Sequence, residues 1–176
     1  YAPYATRFEQ LSLTQEHIYQ VPDTYTAQAF ITTDLDDNQI TAFHPGAMNF
    51  SHLNSVKDSR EIHLGIVAPD GRDGMMQHAR EFHEMGIPFM FDPGQGLPMY
   101  NGDELLNFMQ QANYIAVNDY EAQLLQDRTG YKLESLANKD KVLIITLGAN
   151  GSVIYAEGKK IEIPCVEPRE IVDPTD

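Results

Sequence analysis

A chain of 176 residues that is 42% hydrophobic and 22% charged has the composition of an ordinary folded domain, not of a disordered segment. Its formal net charge of -14 sets nucleic-acid backbones and anionic membranes aside as main partners, because like charges repel. The one cysteine, Cys165, leaves no internal disulfide and no cysteine-based zinc site and fits a reducing cytoplasm, and no apolar run approaches the ~20 residues of a membrane span.

The chain opens on YAPYATRFEQ, without an initiator Met, a basic leader or an apolar core, so a true N-terminus upstream is expected. Residues 3–11 predict a helix with Tyr4, Phe8 and Leu11 on one side. Residues 27–33 and 39–44 are rich in β-branched and aromatic types, and the Asp/Asn-rich stretch Asp34 to Asn38 lies between them. That pattern predicts a β-hairpin, which HPGAMN then ends with Pro45 and Gly46. From Glu61 the pattern changes. IHLGIV predicts a short buried strand, and GRDGMMQHAREFHEMG a helix stopped at Gly86. IPFMFD, YIAVN and KVLIITLG predict three more buried strands, separated by the helices DELLNFMQQA and DYEAQLLQDRTG. GSVIYAEGKKIEI predicts a closing hairpin that turns at Glu157-Gly158. Alternating helices and apolar strands imply an α/β fold, a mostly parallel sheet flanked by helices.

In open parallel sheets, ligands sit outside the carboxyl ends of the strands. The strand tips here read APDGRDG, DPGQG, NDYE and LGANGS, rich in Asp, Asn, Glu and Gly, as a phosphate and metal site requires. Asn118 and Glu121 of NDYE have the spacing of a helix capping box, which alone needs no function. They also have the chemistry to hold a metal-bound phosphate through water. TLGANG, Thr146 to Gly151, suits either a tight turn or close approach of backbone to an anion. Asp92 in FDPGQG reads as an ordinary turn residue. The six histidines have no spacing that makes a metal site.

The order hairpin, strand–helix units, N-x-x-E, T-L-G-x-x-G and D-P-T resembles the ribokinase-like (PfkB) family of carbohydrate and nucleoside kinases, and the resemblance runs over almost the whole chain. It implies a ribokinase-like fold with a small β-hairpin lid. Residues 1–50 would be the lid-associated segment, with the hairpin at about 27–44. Residues 51–176 would be an α/β nucleotide-binding body, incomplete at both ends. The implied chemistry is transfer of the ATP γ-phosphoryl to a primary alcohol, with Mg2+. Asn118 and Glu121 match the motif that acts on magnesium and phosphate. Thr146, Gly148 and Gly151 match the nucleotide strand and turn, and Asp173 and Thr175 the start of the D-[TP]-x-G-x-G-D signature. In the family a glycine-rich step and then the catalytic aspartate follow D-P-T. Here Thr175 is followed directly by Asp176. Either the chain is cut there, or the glycine-rich step is missing from it and Asp176 is the base; the second reading is preferred.

Phe30, Phe43 and His44 on the hairpin suit stacking on a nucleobase, and FHPGAMN is similar to the matching segment of adenosine-kinase-like members. A nucleoside is therefore the expected acceptor, adenosine first. Ribose or another small sugar is the alternative, and a non-catalytic ligand-binding member of the same fold is the rival from another class. The same aromatic residues leave open a homodimer formed through the lid sheet.

Overall fold

The computed structural model describes residues 1–35, 38–137, 140–167 and 169. Helix α1 (Ala2–Gln10) opens the chain with a proline in its first turn and buries no residue. Strands β1 (Gln28–Thr33) and β2 (Gln39–His44) pair antiparallel from Gln28↔His44 to Thr33↔Gln39, as the sequence pattern predicts. Asn38 closes their connection: its backbone N–H donates to Asp34 Oδ1 at 3.0 Å, and its carbonyl oxygen accepts the Asp34 N–H at 3.0 Å. All strand residues of this hairpin are exposed.

Pro45 and Gly46 then redirect the chain. Gly46 has φ +51°, and a Cβ there would lie 2.2 Å from the Tyr25 carbonyl oxygen, so glycine is required on both counts. A 3-10 segment, Gly46–Leu53, leads into the body. It is followed by a short 3-10 turn, Val56–Asp58, pinned by a buried carboxylate: Glu81 accepts the Val56 N–H at 2.7 Å and the Ser55 hydroxyl at 3.0 Å. Burial of that polar group is tolerable because both donors face it.

The body alternates β3 (Gly65–Val67), α2 (Arg72–Glu84), β4 (Phe89–Phe91), α3 (Gly102–Gln111), β5 (Tyr114–Asn118), α4 (Asp119–Thr129) and β6 (Val142–Thr146). The strands pair in parallel in chain order. β7 (Ser152–Ala156) and β8 (Lys159–Ile163) then extend the sheet antiparallel as a hairpin. Val67, Phe89, Phe91, Ile115, Val117 and Leu143 form one face of the sheet's core. Against it pack Met75, Ala79 and Phe82 of α2, Leu105, Phe108 and Met109 of α3, and Ala122 and Leu125 of α4. Phe91 stacks on Phe108 with ring centroids 4.6 Å apart and planes 5° off parallel. Each such side chain contributes about 1.5–3 kcal/mol on burial.

One expectation is corrected. The run at 62–67 was expected to be a buried strand. Only Gly65–Val67 is strand, and Leu64 and Ile66 are 52% and 62% exposed. β3 pairs only with β4 among the described residues, and α2 covers the face that carries Gly65 and Val67, leaving Ile66 on the open one. No helix among the described residues is long and apolar enough to cross a membrane.

Candidate active site at the carboxyl edge of the sheet

The parallel register brings together two motifs that lie 28 positions apart. Asn118, the last residue of β5, pairs with Thr146, the last residue of β6, and Thr146 pairs in turn with Ser152 of β7. Asn118 and Thr146 are both exposed on this edge. α4 starts immediately after Asn118 with a complete capping box. Asn118 Oδ1 accepts the Glu121 N–H at 2.7 Å, and Glu121 Oε2 accepts the Asn118 N–H at 2.9 Å. The cap therefore exists, and it uses one oxygen of each side chain. It also holds the Glu121 carboxylate rigidly at the helix start.

The turn after β6 is closed by the Leu147 N–H donating to the Gly151 carbonyl at 2.8 Å. Gly148 has φ +54°. Gly151 has φ +84°, and a Cβ on it would lie 2.1 Å from the Ile163 carbonyl oxygen. Gly151 is thus demanded by the backbone leaving β8. A cleft of about 540 Å³ opens beside this turn, lined by Leu147, Asn150, Ser152, Lys160, Glu162 and Pro164. Lys160 Nζ donates to Glu162 at 2.6 Å, and this bond raises the lysine's pKa and lowers that of the glutamate.

A second cavity, about 370 Å³, lies between the hairpin and the tips of β3 and β4. Phe43 and Met48 come from the hairpin side, Pro69 and Asp70 from the loop after β3. Gln95, Gly96 and Met99 come from the 3-10 segment Gly94–Met99 after β4. Its walls are apolar, and its polar groups are one carboxylate and one amide. Asp70 Oδ1 accepts the Gly71 N–H at 2.7 Å, which fixes that carboxylate. No cation lines the cavity among the described residues. With apolar walls and no lining cation, it favours a neutral ligand over an anion. A third cavity, about 330 Å³, opens by Pro88, Asn113 and Lys141 at the amino ends of the strands, the wrong edge for a ligand of such a sheet.

The three hairpin residues predicted from sequence do not share a surface. Partners across an antiparallel ladder lie on the same face, and neighbours along a strand alternate. Phe43 pairs with Ala29 and lines the 370 Å³ cavity. Phe30, opposite Ala42, and His44, opposite Gln28, fall on the other face. Asp173, Thr175 and Asp176 lie outside the described residues.

Sequence reasoning missed Asp70 and Gln95, and it treated Asp92 as a plain turn residue. Asp92 sits at the tip of β4, where its N–H donates to the Val67 carbonyl at 3.0 Å. Burial raises the pKa of its carboxyl. The signal that could have found all three is their position directly after strands.

The pattern of the pfkB family of carbohydrate kinases matches residues 3–175. The chain belongs to that family. This pfkB-family chain is 32% identical over 174 residues to a nucleoside kinase of Methanocaldococcus jannaschii, covering 98% of this chain and 56% of that protein. It also superimposes on the nucleoside kinase of Burkholderia thailandensis solved in complex with inosine. There the TM-score is 0.90 at 50% identity, over 98% of this chain and 58% of that one. The same enzyme in complex with ADP-inosine gives a TM-score of 0.88 over 98% of this chain and 54% of that one. The ribokinase of Cryptococcus neoformans, at 18% identity and a TM-score of 0.70, shares the fold. The expected fold class, ribokinase-like α/β with a small hairpin sheet, is the one observed. The chain spans about half the length of the curated relatives it matches.

Proposed function

We propose that the whole protein transfers the γ-phosphoryl group of ATP to the primary alcohol of a nucleoside. The observation that carries this reading is the 370 Å³ cavity between Phe43 and the carboxyl edge of the sheet. It has apolar walls for a flat base and a carboxylate and an amide for polar contacts. The relative that is 50% identical was solved with inosine bound, which supports the same class of acceptor. Adenosine, expected from the FHPGAMN segment, is proposed as a substrate beside inosine.

The phosphoryl donor would lie along the row Asn118, Thr146 and Gly148, with Gly151 shaping the turn. Magnesium suits this row. Among the described residues no cluster of three acidic, histidine or cysteine side chains could cage a metal ion by itself. Mg2+ needs no such cage: it keeps several waters and takes one or two carboxylates together with phosphate oxygens. Glu121 would supply the carboxylate through its oxygen not used by the cap, and Asn118 would orient a water. Bound there, the ion would neutralise charge that develops on the phosphoryl oxygens. Asp173 and Thr175 would line the phosphate path. Asp176 would accept the hydroxyl proton as general base, an assignment that rests on the D-P-T motif. The hairpin face that carries Phe30, Ile40 and His44 is exposed, and a homodimer through it belongs to the same proposal. So does a cytoplasmic location, where ATP and nucleosides are available.

The test is a phosphorylation panel of nucleosides and sugars on the full-length enzyme, with a magnesium titration of Glu121→Gln. Gln also completes a capping box. The variant should therefore keep its fold but lose activity and need more magnesium. Ribose turned over far faster than every nucleoside would replace this reading with a sugar kinase. ATP binding without turnover of any acceptor would favour a ligand-binding protein. A magnesium titration indistinguishable from the parent's would leave Glu121 as a cap alone.

A further inference from the structure

We infer that Arg128, in the last turn of α4, is a positioning residue for the acceptor: its guanidinium holds the loop after β4 in place against the helix that starts at Asn118 and Glu121. This deepens the nucleoside reading above and rests on it.

A basic residue in the last turn of a helix is ordinary, since it faces the negative end of the helix dipole. Arg128 does more than that. Its Nη1 donates to the Leu97 carbonyl at 3.0 Å and to the Tyr100 carbonyl at 2.8 Å. Both acceptors belong to the loop that supplies Gln95, Gly96 and Met99 to the 370 Å³ cavity. A second helix grips the same loop: Arg72 Nε of α2 donates to the Met99 carbonyl at 3.3 Å. The loop needs such donors. Pro93 and Pro98 have no N–H, and Gly94 and Gly96 have no side chain, so the segment offers few bonds of its own. Within it the Gly96 N–H donates to the Pro93 carbonyl at 2.8 Å and the Tyr100 N–H to the Leu97 carbonyl at 3.3 Å. Bonds from a charged donor are stronger than these neutral ones.

The anchor is fixed at both ends. α4 begins with the capping box of Asn118 and Glu121, and Arg128 follows Glu121 by two turns, about 10 Å along the axis. The start of α3 lies directly against the same last turn, where a Cβ on Gly102 would be 2.2 Å from the Arg128 carbonyl oxygen. One helix thus touches the proposed phosphate row at its first turn and the acceptor loop at its last. Loss of the guanidinium would loosen the loop and leave the capping box intact. The buried side chains of Leu97 and Tyr100 would still tie the loop to the core. Arg128 itself is exposed, so its removal opens no cavity.

The test is steady-state kinetics of the full-length enzyme on Arg128→Met and Arg128→Lys. ATP is varied in turn with adenosine or inosine, whichever the parent converts faster. Met keeps the apolar stem of the side chain and removes both donors. Arg128→Met should raise KM for the nucleoside about tenfold and leave KM for ATP within about twofold of the parent's. Lys keeps a charged donor that ends one bond short of Nη1, so Arg128→Lys should raise the nucleoside KM by less. A lower kcat with both KM values unchanged would mean a smaller folded fraction and a stabilising role only. KM values for nucleoside and ATP that rise together would mean that Arg128 steadies the whole edge and not the acceptor loop. Either result, or parental kinetics in both variants, overturns the inference and leaves the nucleoside reading standing. If Arg128→Met does not fold, the same split between the two KM values decides on Arg128→Lys. A parent that phosphorylates sugars and no nucleoside would fail that reading, and this inference with it.

Discussion

Phe91 and Phe43 are both aromatic residues on short strands, and they live in opposite conditions. Phe91 is wholly buried, stacked on Phe108 with β3 and β5 on either side. Phe43 is 54% exposed on a two-stranded sheet with no buried residue on either strand. The body is stabilised by burying apolar side chains of the sheet against α2, α3 and α4. The hairpin has only its ladder of hydrogen bonds and cross-strand contacts, and two strands alone are marginal in water. Elements that close over ligands are drawn from that low-stability end. The contrast therefore assigns stability to the body, while ligand contact by the hairpin belongs to the proposed function.

The largest expected effect lies in the body. Phe91→Ala should reduce the unfolding free energy by about 3–5 kcal/mol, read from urea denaturation of the full-length protein. A loss of less than ~1 kcal/mol would mean that this core does not hold the body together. Next come the two faces of the hairpin. Phe43→Ala should raise the KM for a nucleoside about tenfold, as expected when a ring that stacks on a base is removed, and shift stability little. Phe30→Ala, on the opposite face, should leave that KM unchanged. Equal effects on KM from the two variants would erase the distinction between the faces.

The smallest effect concerns Asp92, at the tip of β4. Burial raises its carboxyl pKa, so the folded protein binds this proton more tightly than the unfolded chain does. The group then costs stability as pH rises from the unfolded value through the raised folded one. Asp92→Asn removes that cost. Its melting temperature should exceed the parent's at pH 7, and the difference should vanish at about pH 3, where both states of the parent are protonated. A variant less stable than the parent at pH 7 would show that the Asp92 carboxylate is held by a favourable partner.

Much of the local geometry at the candidate site was legible because it depends on near neighbours in the chain. Asn118 and Glu121 are three positions apart, so a capping box at a strand-to-helix junction can be read from the letters and is found as read. Gly148 answers to a turn that needs positive φ. The hairpin ladder was legible too. Its register implied that Phe30 and Phe43 face apart, since Phe30 pairs with Ala42 and Phe43 with Ala29. Alternation along a strand is the signal that would have separated them.

What the sequence alone determined is the alternation of helices and apolar strands, the places where they stop, and the family. Each depends on neighbours within a turn or two of chain, or on motifs in a fixed order. What only the tertiary structure decided is which tips become neighbours. Asp70 and Gln95 lie 25 positions apart, and they share a cavity because β3 and β4 pair in parallel and end at the same edge. Asn118 meets Thr146 for the same reason. Spacing along the chain does not encode that meeting, because parallel register is set by packing a whole sheet face against its helices.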